Sequence, residues 1–190
     1  MNDKNWWILA AVGLFYFFKS KRRGITPRPP AEKINPAPAP KVAPTVDGWT
    51  QWRELLAQKE SGGRYDARRP GSQYWGRYQL GTLARANTSA KGVRWSQFMK
   101  NEQLQNKAIK EWSARALREL KAQPDAQAAV AAGKATWSQL VAMDHLTGRA
   151  ATMKWIRTGE ATRDANQVSN YKWGLPFANF NIDSIGRPTT

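Results

Sequence analysis

The chain contains no cysteine and only one histidine, His145. The lack of cysteine excludes disulfides and thiolate-ligated metals. The lone histidine excludes a multi-histidine zinc site and argues against a histidine-based catalytic triad. No metal and no cofactor is expected. Acidic residues are scarce too: 14 against 30 lysines and arginines, for a net charge of +16. No repeat of 20–50 residues is present. The longest uninterrupted apolar run, Trp6 to Phe18, is shorter than the roughly 20 residues a spanning helix ordinarily uses.

What is present divides by composition. The positive charge is spread along the chain, with 22 basic and 12 acidic side chains over residues 47–190. Such a field concentrates polyanions: an acidic cell-wall network, anionic lipid head groups or nucleic acid. The ten tryptophans are many for 190 residues. Some belong to a core, and the others suit a cleft in which flat rings stack on sugars.

Four segments follow. Residues 1–18 read as a membrane anchor helix, with aromatic residues at both ends of the apolar run and Lys4 and Lys19 placed to snorkel. A signal peptide and a core helix are the competing readings. No small-residue cleavage site follows closely, and a core helix fits poorly beside the next segment. Residues 19–46 are a basic, proline-rich linker with alternating Pro-Ala at 36–40, a semi-rigid spacer. Residues 47–176 form the globular domain. Residues 177–190 have little pattern and read as a loose tail.

The positive-inside rule, applied to Lys19, Lys21, Arg22 and Arg23, keeps the domain on the cytoplasmic side. Carriage in the lipid membrane of a virus particle, with delivery to a host periplasm during infection, would place it on the other side. Other virion proteins would then be neighbours.

The domain reads as mainly helical. Asp47 or Thr50 is placed to cap a first helix. Asn101 caps a long one over 102–121, with Leu104, Ala108, Trp112, Ala116 and Leu120 on one face. Pro124 opens a helix running to Gly133. Thr136 caps another that stops at Gly148 and carries His145, read as a packed or helix-end residue. A shorter helix near 150–157 stops at Gly159. The stretch from Tyr65 to Gln79, rich in glycine and aromatics, is where any small β-hairpin would lie.

The stretch from Leu55 to Leu80 holds the candidate chemistry. Trp49, Trp52, Leu55, Leu56 and Glu60 fall at steps of three or four and so share one helix face. Gly62 and Gly63 then turn the chain. Glu60 therefore ends an apolar stripe, near the negative end of a helix dipole. Both settings favour the protonated carboxyl, the form a leaving glycosidic oxygen needs.

Glu60-Ser-Gly-Gly63, followed by Gly76-Arg-Tyr-Gln79 with its glutamine 19 residues after Glu60, resembles the lysozyme-like lytic transglycosylase family, in particular its phage virion-associated type. HLTG at 145–148, KWI at 154–156 and DANQVSNY at 164–171 continue the resemblance. It spans Trp49 to Tyr171. It implies a lysozyme-like (α+β) domain with a small β/loop region beside an active-site cleft. It implies Glu60 as catalytic acid/base, and Ser61, Tyr78, Gln79 and Tyr171 as substrate-binding residues on peptidoglycan glycan strands. Many members carry Ala-Tyr-Asn-x-Gly with a functional tyrosine; this chain has His145-Leu-Thr-Gly. Asp66, the one other acid between Glu60 and Glu102, separates two chemistries. If it is structural, Glu60 acts alone and the product is a 1,6-anhydro sugar; if catalytic, the enzyme is a hydrolysing muramidase. A non-enzymatic, basic virion protein that binds nucleic acid is the reading from a different class.

Overall fold

The computed structural model describes residues 48–68 and 71–186. All of them belong to one of two compact units, Glu32–Thr190. The expected anchor and linker, and the Asp47 cap, lie outside the described residues. No helix among the described residues is long and apolar enough to cross a membrane.

The described part is mainly helical, 62 % of it, with few strands. Helix α1 is Gly48–Ser61, α2 Thr82–Ala86, α3 Trp95–Met99, α4 Glu102–Lys121 and α5 Pro124–Ala131. Helices α6 (Trp137–Thr147), α7 (Arg149–Thr158) and α8 (Asn170–Gly174) follow, then two 3₁₀ turns, Leu175–Phe177 and Asp183–Gly186. Three of the anticipated starts are present. The Asn101 side chain accepts from the Leu104 N–H at 2.9 Å, the Thr136 hydroxyl accepts from the Gln139 N–H at 3.3 Å, and Pro124 occupies the first turn of α5. Thr50 is the exception: it lies inside α1 and is not a cap.

Helix α6 forms the centre. Its residues Ser138 to Asp144 are all buried, as a helix packed on every side requires. Helices α4, α7 and α8 pack against it. Trp52 of α1 is fully buried, stacks on Trp49 at 5.4 Å, and donates its indole N–H to the Ser138 carbonyl at 3.1 Å. Burying a ring of that size contributes about 4–6 kcal/mol before entropic losses. Trp155 of α7 stacks on Tyr171 of α8 at 5.1 Å and closes the opposite side.

Two expectations change. Among the described residues of the hairpin region the pairings are isolated ones, Arg68 with Trp75 and Trp75 with Leu80. Glycines and a left-handed Gln79 break the extended backbone there before a ladder can form. The tail is not loose over 177–186. Phe177, Ile182 and Ile185 are buried and belong to the hydrophobic core. The domain therefore runs past residue 176 to at least Ile185.

Candidate active site

Glu60 sits in the last turn of α1, and its side chain is 16 % exposed. Gly62 and Gly63 follow with φ of 66° and 81°, left-handed values that turn the chain off the helix. The Gly63 N–H returns to the Ala57 carbonyl at 3.0 Å. The carboxyl thus projects from a closed helix terminus into a cleft of about 790 Å³.

Four pieces of chain build that cleft. Helix α1 supplies Lys59 and Glu60; the loop before α2 supplies Tyr74 and Gln79; the end of α6 supplies His145; the loop 162–168 and Trp173 form the far wall. A smaller cavity of about 160 Å³, lined by Leu80, Leu83 and Trp112, shares Tyr74, Gln79 and His145 with it. Tyr74 is 50 % exposed and borders both.

Gln79 lines the same cleft as Glu60, with a left-handed φ of 46°. Its side-chain N–H donates to the Gly76 carbonyl at 2.8 Å, which holds that uncommon backbone conformation.

Three expected sugar contacts are elsewhere. The Ser61 hydroxyl lies within hydrogen-bond distance of two carbonyls, Arg77 at 2.7 Å and Ala57 at 3.2 Å, so it ties the end of α1 to the Gln79 loop. Tyr78 is 1 % exposed and donates its hydroxyl to Asn106 Oδ1 at 2.5 Å. Burial pushes its phenol well above the ordinary tyrosine value, so it remains a donor. Tyr171 is buried against Trp155, and desolvation raises its phenol as well. Both tyrosines are core residues because they fall on the inner faces of their segments. Asp66 is exposed and does not line the cleft.

The residue that sequence reasoning missed is His145. Its Nε2 lies 3.3 Å from Glu60 Oε1, and its side chain is only 6 % exposed. Trp112 of α4 meets the ring edge-on, with centroids 5.0 Å apart. The signal was available: the only histidine in the chain, at the end of an apolar helix, inside one of the motif-like segments.

Two other carboxyls reach the cleft, and both are engaged. Asp164 accepts the Asn166 and Val168 N–H groups at 2.9 and 2.7 Å within its own turn. Asp144 accepts two hydrogen bonds from Arg149, at 3.1 and 3.0 Å. Burial raises the Asp144 carboxyl above its ordinary value, against the opposing pull of Arg149. No group of His, Cys, Asp and Glu that would hold a metal ion exists among the described residues. Comparison with protein-family models, curated proteins and solved structures gives no match for this chain.

Proposed function

We propose that this protein is a peptidoglycan lytic transglycosylase, cleaving the MurNAc–GlcNAc β-1,4 bond and leaving a 1,6-anhydro end. The observation that carries the reading is Glu60 in a cleft whose other carboxyls are already engaged. A hydrolase of the usual kind needs a second free carboxylate to activate water or form a glycosyl intermediate. With Asp66 exposed and away from the cleft, one acid does both tasks.

The reaction balances on Glu60 alone. Its proton moves to the glycosidic oxygen as the bond to C1 breaks. The N-acetyl group of the substrate stabilises the positive C1. The 6-hydroxyl then bonds to C1, its proton returns to Glu60, and no water is consumed. The second cavity beyond Gln79 suits a long strand, since a polymer must continue on both sides of the cut bond. Its apolar lining, with Tyr74 as the dividing wall, favours sugar faces.

The cellular setting rests on the sequence alone: a domain tethered by residues 1–18, carried in a virion membrane and acting in the host periplasm. Mass spectrometry of digested sacculi tests the chemistry. Anhydro ends are expected, and Glu60→Gln should give no products while melting as the wild type does. Reducing ends would point to a muramidase. No products from the wild type, with polyanion binding retained, would point to the non-enzymatic reading.

A further inference from the structure

Taking Glu60 as the acid/base, we propose that His145 is the positioning residue for it. Its Nε2 lies beside a carboxyl oxygen of Glu60, where negative charge arises when the proton leaves. The 3.3 Å separation of Nε2 and Oε1 places the donor at the edge of hydrogen-bond reach before substrate binds, and such contacts tighten in the reacting complex. The ring is almost wholly buried and packs T-shaped against Trp112, which limits its freedom to move. Asp144, its neighbour in sequence, is paired with Arg149 and also feels the imidazole electrostatically.

The timing of charge gives this contact a function. When Glu60 acts as the acid, the reacting form is the carboxyl, and a donor beside it gains little. As the C1–O bond breaks, the proton passes to the leaving oxygen and Glu60 becomes an anion. A fixed donor stabilises that anion more than the starting acid, which lowers the barrier. When O6 closes on C1, its proton returns to Glu60 and the charge disappears. The contact also engages one carboxyl oxygen and leaves the other for the glycosidic bond.

Two variants of the full chain separate this from simple packing. His145→Phe keeps the ring and its Trp112 contact but has no donor. His145→Gln carries an amide N–H at a similar reach. With soluble glycan strands as substrate, His145→Phe should lower kcat about 100-fold at nearly constant KM. His145→Gln should stay within about tenfold of the wild type. A His145→Phe enzyme with wild-type kcat, or a His145→Gln enzyme as impaired as His145→Phe, overturns the proposal. If neither variant folds, the single histidine still reports directly. Nitrogen NMR of the labelled full chain should show Nε2 protonated, with its shift altered in Glu60→Gln; an Nε2 signal indifferent to that change refutes the contact. A wild-type enzyme that releases no anhydro ends removes the underlying functional reading instead.

Discussion

The side-chain oxygen of Gln105 accepts the backbone N–H of Arg77 at 2.8 Å, with Gln105 itself fully buried in α4. Its N–H₂ group reaches the Tyr65 and Phe98 carbonyls at 3.1 and 3.0 Å. One side chain thus adds to the isolated pairings that hold the described residues of the 65–80 region. Gly76 makes the approach possible: its φ is +80°, and a Cβ there would lie 2.4 Å from Gln105 Oε1.

Gln105→Leu should therefore destabilise the domain more than its similar size suggests. It strands the Arg77 N–H and the Tyr65 carbonyl, each costing about 1–3 kcal/mol unless water enters, while the Phe98 carbonyl keeps the Asn101 N–H at 3.1 Å. A loss of roughly 3 kcal/mol is expected, lowering Tm by about 10 °C. Because the Gln79 loop loosens with it, activity below Tm should fall as well. Thermal melts followed by circular dichroism, beside the lysis assay, check both. A melt within about 2 °C of the wild type would show that water or a shifted loop satisfies these groups.

Ile182 and Ile185 are 2 % and 3 % exposed, and Gly48 faces the Asn181 backbone so closely that a Cβ would come within 2.3 Å of it. The start of α1 and the final turn therefore interlock. Ile185→Ala should cost about 2–4 kcal/mol, as buried isoleucines do. Deleting residues 181–190 should cost more and expose the chain to proteolysis. Urea unfolding of the two variants is the measurement; wild-type midpoints would mean that this segment is dispensable.

The difference between these two regions shows what could be read beforehand. Helix boundaries at Asn101, Pro124, Thr136, Gly148 and Gly159 were legible because caps and breakers act within a few residues. Glu60 and Gln79 were legible because they stand in short motifs at a fixed spacing. The C-terminal segment was not, since Ile182 and Ile185 have no periodicity and gain their meaning from distant partners. Tyr78 and Tyr171 look like sugar platforms in one dimension, yet their inner faces meet Asn106 and Trp155 from other helices. His145 stood out as the lone histidine at a helix end, but that it meets Glu60 depends on how α1 and α6 pack, which no local pattern encodes.

Asp144 gives a pH dependence with a definite sign. Its carboxyl is raised by burial, so the folded state holds that proton more tightly than the unfolded chain does. The group therefore costs no stability at low pH. It becomes a penalty as pH climbs above the ordinary aspartate value of about 3.9 and through the folded one. Glu119 runs the other way: its hydrogen bond to Arg115 lowers its carboxyl, so it adds stability that is lost on acidification. Subtracting the stability curve of Asp144→Asn from that of the wild type isolates the first effect. The difference should move against the wild type as pH rises above about 4. A difference moving the opposite way would mean that Arg149 outweighs burial.

Tyr74 and Tyr78 should separate binding from folding. Tyr74 is half exposed between the two cavities, whereas Tyr78 is sealed in with its hydroxyl on Asn106. Tyr74→Ala should leave the melt nearly unchanged and raise KM for glycan strands about tenfold, equivalent to about 1.4 kcal/mol of lost binding. Tyr78→Phe should keep KM and lose about 1 kcal/mol of stability, a Tm decrease of about 2–4 °C. The pair is informative because the sequence motif alone favours Tyr78 as the sugar contact. Should Tyr78→Phe raise KM while Tyr74→Ala does not, the strand must run on the other side of the Gln79 loop.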